Sequence, residues 1–210
     1  PTGKISMLPN TELQLNRNKL RHKVAALGYQ EVVSFSFTPD QWEADFAGQS
    51  DPIKLLNPIA SQLSVMRSTL IGSHISILKH NLNHRVDRLR VFEVARTFQK
   101  DDQTPDSAYT VKGFKQTWKP SGLAYGLVNQ LQWSSQNNRL IDFFDLKGDV
   151  EALLGQRTLR FVPCAHPALH PGRSAEVFDD DLSLGFLGEL HPQWVQKYEL
   201  PAAPLVFELL

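Results

Sequence analysis

The 210-residue sequence predicts an α+β domain with a largely antiparallel sheet flanked by helices. Three observations carry that expectation. Apolar residues recur at helical spacing in a few separate stretches, most of them bounded by a capping residue or a glycine. In the last third, short apolar stretches follow one another with only hairpin-length turns between some of them. No internal repeat, low-complexity tract or compositional break demands a boundary, so residues 1–210 read as one domain.

Residues 1–10 are a polar, proline-bearing lead-in. Thr11 is placed to cap a helix reaching Leu27, with Leu13, Leu20, Val24 and Leu27 on one stripe and Gly28 as its stop. Leu15 lies nearly opposite that stripe, so it is either exposed or covered by a partner. Glu31–Phe37 alternates, with Val33, Phe35 and Phe37 on one face, and reads as a strand. A short helix follows around Asp40–Phe46. Asn57-Pro58 marks a turn, because the residue before proline is pushed out of the helical region.

Ser68 is the expected N-cap of the next helix, in which Leu70, Ile71, His74, Ile75, Leu78 and Leu82 share a face. From Leu89 the period changes to two. Arg90, Phe92, Val94, Arg96 and Phe98 line one side of a strand, and Leu89, Val91, Glu93, Ala95 and Thr97 the other. Two arginines and a glutamate among these apolar residues require partners, since a charge buried on a strand must be paired. Residues 100–119 are polar, contain Pro105 and read as a loop excursion; Gly122–Val128 reads as a buried strand.

Asp142 is expected to cap a helix through Leu154, with Phe143, Leu146, Val150, Leu153 and Leu154 inward and Gly155 as its end. Strands are predicted at Leu159–Val162, Ala175–Phe178 and Leu182–Leu187, the last two joined by an acidic turn at Asp179–Asp181. Pro192 opens a short helix to Tyr198, and Leu205–Leu210 is a final strand.

Lys+Arg and Asp+Glu each number 22, so no global positive field exists to attract nucleic acid, and any RNA contact must be a local patch. The single cysteine, Cys164, excludes an internal disulfide and a cysteine-based zinc cage. No apolar run approaches the roughly 20 residues that span a bilayer, and PTGKISMLPN has no signal-peptide core. The expectation is a cytoplasmic protein without membrane contact. The absence of an initial Met and the strand-like end at Leu210 suggest an excised piece of a longer chain.

Several candidate sites give way to plainer readings. His166, His170 and His191 invite a metal, but Pro167, Pro171 and Gly172 interrupt any helical spacing, so histidines packed in loops are expected and no metal ligand is assigned. A nucleophile elbow, a P-loop and a Gly-x-Gly-x-x-Gly turn are all missing. Asp145, Asp149 and Glu151 suit the early turns of a helix, where negative charge meets the positive end of the dipole. The basic cluster Lys79, His80, His84, Arg85, Arg88 and Arg90 reads as a solvated face near a helix end; Lys79, Arg85 and Arg88 are its candidate contacts to RNA phosphates.

Six motifs carry a resemblance: ALGYQEVVSFSF, LNPIASQLSVMRSTL with the helix ending NLNHR, RVFEVARTF, DFFDLKGDVEALLG, LHPGRSAEV and GELHP. In that order they resemble the catalytic-like core of the β chain of bacterial phenylalanyl-tRNA synthetases, and they cover nearly the whole sequence. The resemblance implies a class II aminoacyl-tRNA synthetase-like core. It also implies an α2β2 heterotetramer in which the α chain charges tRNA(Phe) using ATP and Mg²⁺, while the β core braces it. Class II catalytic chains place an arginine just beyond a strand to bind the α-phosphate of ATP, and a second in a Gly-rich C-terminal motif. Planar guanidinium groups stabilise the charge gathering there in the transition state. Here the first position is Gln99, a neutral amide, and the second element is absent. The resemblance therefore implies an inactive copy that holds no cofactor of its own. Arg67, Glu93, Arg96, His170 and Arg173 are expected in a structural polar network. The helix and strand resembling class II motif 1 are expected at the α interface, through Leu13, Leu15, Leu20, Val24, Val33 and Phe35. The competing expectations are a self-contained adenylating enzyme of the biotin or lipoate ligase type and, more remotely, a histidine-metal hydrolase.

Overall fold

The computed structural model describes residues 12–210 apart from 108, 131–132, 134–138 and 156, with side chains from Asn16 onward. The expected cap at Thr11 and the side chains of Leu13 and Leu15 lie outside the described residues. Helix α1 (Glu12–Ala26) leads into β1 (Gln30–Glu31) and β2 (Phe37–Thr38). A short α2 (Asp40–Trp42) runs on into a π-helical turn at Glu43–Ala47, followed by β3 (Val65–Met66) and α3 (Ile71–Asn83). The long hairpin of β4 (Leu89–Lys100) and β5 (Phe114–Tyr125) precedes α4 (Phe143–Leu154). Strands β6 (Leu159–Pro163), β7 (Leu169–Asp179) and β8 (Leu182–Leu190), helix α5 (Pro192–Lys197) and β9 (Leu205–Leu209) complete the chain.

Seven strands form one sheet in the order β1-β4-β5-β9-β8-β7-β6, and β2 pairs with β3 separately. Every pairing in the large sheet is antiparallel except β1 with β4. The period-two pattern of β4 divides its side chains between two cores. Phe92 and Val94 pack with Val24, Tyr29, Val150 and Phe207 on the α1/α4 face. Leu89 and Val91 pack with Ile71, Ile75, Leu78 and Val206 beneath α3. Strand β9 is buried along its whole length because it is the middle strand, covered on both faces.

Several expectations are corrected. Ser68 does not cap α3; the helix begins at Ile71, and its N-cap residue Leu70 makes no side-chain cap. The Ser68 hydroxyl instead donates to Glu43. Residues 100–119 are not one loop: β4 runs to Lys100 and β5 begins at Phe114, so the connection is 101–113. Polar residues persist in Phe114–Lys119 because this end of the hairpin is only half covered. The strand expected at Gly122–Val128 is the second half of β5, which ends at Tyr125, since Gly126 turns at φ 86° where any Cβ would stand 2.1 Å from the carbonyl oxygen of Asp87. Glu31–Phe37 is regular only at its ends. Past the Val32 amide, which still bonds the carbonyl of Phe92, the chain between β1 and β2 leaves the ladder, although burial alternates along it.

Candidate functional site

A buried ion pair stands where the sequence demanded one. The guanidinium of Arg67, just after β3, lies 3.2 Å from the carboxylate of Glu93 on β4, and both side chains are almost wholly buried. Arg67 also donates from Nη1 to the hydroxyl of Ser34 (2.6 Å) and from Nε to the carbonyl of Arg96 (3.3 Å). Ser34 in turn donates its hydroxyl to Glu93 Oε2 (2.6 Å) and its amide to Oε1 (3.2 Å). This satisfies most of the lone pairs and protons of a desolvated pair, the condition under which such a pair is tolerated. Arg96 joins only through its carbonyl. Its side chain is exposed, donating to Gln116 and lying over the Trp118 ring, because β4 alternation turns it to the opposite face. His170 and Arg173 do not join either: they sit on β7, with β5, β9 and β8 between them and β4. Arg173 pairs there with Glu189 at 2.7 Å, and His170 Nδ1 accepts the amide of Gly172.

A second buried pair adjoins the first. Lys119 on β5 donates to Glu208 on β9 at 2.8 Å and to the carbonyl of Ser68. The other Glu208 oxygen accepts the Thr69 hydroxyl and the Leu70 amide, each at 2.8 Å. Glu43 takes the Ser68 amide and hydroxyl; burial pushes its carboxyl up, against the pull of those bonds. Glu208 was legible in principle. It is a single charge in an apolar strand, PLVFELL, the same signature that singled out Glu93. In sequence Lys119 is hidden, because residues 100–119 read as a polar loop.

On the other face, Asp149 of α4 accepts Arg90 (3.1 Å) and the Tyr29 hydroxyl (2.8 Å). It lies beyond the first turn, so it answers Arg90 rather than the helix dipole; burial raises its carboxyl above the usual range despite both partners. Asp145 does serve the first turn, in a capping box with Asp142.

Gln99 opens onto a cavity of about 310 Å³ lined also by Glu43, Asp51, Ser68 and Lys100. Lys100 pairs with Asp51. Two carboxylates, the neutral amides of Gln49 and Gln99 and an ammonium already engaged do not suit a triphosphate. These residues do not fit ATP.

The three candidate histidines bond locally, and His170 lies on β7 rather than in a loop. His166 Nδ1 accepts the amide of Ala168 and His191 Nδ1 that of Gln193, while the His166 ring stacks on Phe186. No group of ligating side chains suited to a metal ion occurs among the described residues. The basic cluster disperses: Lys79 pairs with exposed Glu199, Arg90 turns inward, and Arg88 donates to the carbonyls of Leu127 and Val128. Arg85 sits just past α3 in the left-handed region at φ 63°. Among the described residues, no helix is long and apolar enough to cross a membrane.

The expected contact surface also divides. Val24 is 1% exposed and belongs to the core of this domain, with Leu20 packed beside it, because their stripe faces the sheet. Val24 is therefore corrected from a partner contact to a core residue. Val33 and Phe35 are 90% and 67% exposed, on the extended segment at the β1 edge of the sheet.

The model of the phenylalanyl-tRNA synthetase β chain CLM domain family matches residues 1–210. The chain is 50% identical over 209 residues to the phenylalanine–tRNA ligase β subunit of Ralstonia nicotianae, covering 100% of this chain and 26% of that protein. It is 48% identical over 208 residues to the β subunit of Neisseria meningitidis, covering 99% of this chain and 25% of that protein. The chain thus spans about a quarter of the length of these relatives. Among solved structures it is similar to Desulfitobacterium hafniense PylSc, a pyrrolysyl-tRNA synthetase, with a TM-score of 0.64 at 14% identity over 92% of this chain and 63% of that one. That likeness shows the class II synthetase fold. A sheet of this order, flanked by these helices and matched along its whole length, places the chain in the phenylalanyl-tRNA synthetase β chain CLM domain family.

Proposed function

We propose that this domain is a non-catalytic class II core that assembles with the catalytic α chain of phenylalanyl-tRNA synthetase and braces it in an α2β2 enzyme. In this reading ATP and Mg²⁺ act at the α chain, tRNA(Phe) is bound by the whole complex, and the enzyme works in the cytoplasm. The observation that carries the proposal is the pair Val33 and Phe35, large apolar side chains 90% and 67% exposed side by side at a sheet edge. Other large apolar side chains, among them Leu56, Trp133 and Phe144, are also exposed, but Val33 and Phe35 lie two residues apart beside the β1 edge, and an apolar pair exposed together at a sheet edge supports an interaction surface. The relatives' name, β subunit, implies a partner subunit, which this reading takes to be the α chain. The cavity at Gln99 supports the non-catalytic half of the reading, because its lining offers no guanidinium and its one ammonium, Lys100, is already paired with Asp51. This disfavours a self-contained adenylating enzyme.

Sedimentation of the full-length β chain with its α chain tests the proposal. A stoichiometric heavier species is expected, and Val33→Asp with Phe35→Asp should abolish it, since two exposed residues can change without disturbing the fold. Unchanged assembly of the double variant would remove this edge from the interface. Amino-acid-dependent ATP–pyrophosphate exchange by the isolated β chain would overturn the non-catalytic reading.

A further inference from the structure

The segment between β1 and β2 is held in an unusual way. The Val32 amide still bonds the carbonyl of Phe92, continuing the parallel pairing of β1 with β4. Two residues on, the Ser34 amide donates not to a main-chain carbonyl but to the Glu93 carboxylate, 3.2 Å away. The Ser34 hydroxyl lies between the same carboxylate and Arg67, 2.6 Å from each. Arg67 closes the far end: its amide donates to the Ser36 carbonyl at 3.0 Å, and its carbonyl accepts the Phe98 amide at 2.9 Å. Residues 33–36 are therefore attached to β4 through one arginine and one glutamate, both buried, in place of a backbone ladder.

Alternation does the rest. With Ser34 turned inward onto the ion pair, its neighbours Val33 and Phe35 are turned outward, and both are exposed. We infer that Ser34, gripped by the Arg67–Glu93 pair, is a positioning residue that presents Val33 and Phe35 together to the partner chain. The inference rests on the reading of this edge as the α contact. Its physical basis is pre-organisation: a segment already fixed in its bound shape loses less conformational freedom on association. The hydroxyl is the element to test, because it bonds both charged groups while Ser34 itself is only half-buried.

The experiment compares full-length β chains carrying Ser34→Ala, Ser34→Thr, or Val33→Asp with Phe35→Asp, each titrated with the α chain by sedimentation and each melted alone. Ser34→Ala should weaken association about ten-fold, the scale of one hydrogen bond to a charged group, and lower the melting temperature of the β chain only slightly, by what one lost hydrogen bond to the buried pair costs. Ser34→Thr, which keeps the hydroxyl, should restore it. Wild-type affinity for Ser34→Ala, with assembly lost in the double aspartate variant, would leave the interface standing and overturn the positioning role. A large fall in melting temperature together with affinity, without rescue by threonine, would reduce Ser34 to a general structural residue and equally overturn it. Assembly retained by the double aspartate variant would instead overturn the interface reading, and this inference with it.

Discussion

Glu208, on the last strand, accepts the hydroxyl of Thr69 and the amide of Leu70 at 2.8 Å each and so occupies the N-terminal end of α3 from 139 and 138 residues away. The helix has no side-chain cap of its own. A carboxylate there meets both the unsatisfied amides and the positive end of the helix dipole. Lys119 neutralises it from the other side at 2.8 Å. Glu208→Gln removes the charge while keeping the shape, leaving a buried ammonium unpaired. The expected loss is about 3 kcal/mol of unfolding free energy, the scale for breaking a buried pair, read from urea denaturation. Thr69→Val, which removes one neutral donor, should cost only about 1 kcal/mol.

His74 makes stability depend on pH. It is fully buried beneath the sheet. Burial drives its pKa down to about 4, against the pull of the Glu93 and Glu208 carboxylates. An unfolded chain protonates this ring near its ordinary value of 6.5, whereas the folded chain resists until about 4. Between those values the unfolded state binds more protons, so stability is full above pH 6.5 and falls as the pH drops towards 4. The contribution at stake is on the order of 3 kcal/mol. His74→Leu should flatten that slope in denaturation midpoints measured from pH 7 to pH 4.5. His166, pushed down to about 4 mainly by burial, retains its own share of the slope.

Gly72 marks a close approach. A Cβ on this residue of α3 would stand 2.7 Å from Trp42 Cε3 and 3.3 Å from the Phe46 ring. Gly72→Ala gains helix propensity, worth up to about 1 kcal/mol, but overpacks a contact with little room to yield, which costs about 1–3 kcal/mol. The overlap should win, and denaturant unfolding should report a net loss. Trp42→Leu in the same chain should recover part of it.

Asp142 caps α4 reciprocally with Asp145. Its carboxylate accepts the amides of Phe144 (2.9 Å) and Asp145 (3.1 Å), while Asp145 accepts the Asp142 amide (2.9 Å). Asp142→Ala should lower stability by about 1 kcal/mol, and Asp142→Asn, which still accepts, should lose much less. Thermal melts of the two variants side by side make the check.

Legibility followed the range of the interaction. The α4 boundaries, with Asp142 and Gly155 at its ends, were readable because capping is settled within a few residues. The two faces of β4 were readable because alternation follows from backbone geometry. Ser68 misled for the complementary reason: a good local cap residue was taken by Glu43, 25 positions away in sequence. Val24 misled because a helical stripe says that a face is covered, not whether the cover belongs to the same chain.

By itself, the sequence determined the α+β class, the order of most elements and the need for buried charge pairs, since periodicity, turn chemistry and isolated charges on apolar strands are local facts. Six ordered motifs also pointed to the family. Only the tertiary structure decided which charges meet: Arg67 with Glu93 and Ser34, Lys119 with Glu208, Arg90 with Asp149. It likewise turned Val33 and Phe35 outward and Val24 inward. Partner choice depends on which strands become neighbours in the order β1-β4-β5-β9-β8-β7-β6. That order is fixed by the joint burial of both sheet faces, which no single stretch of sequence contains.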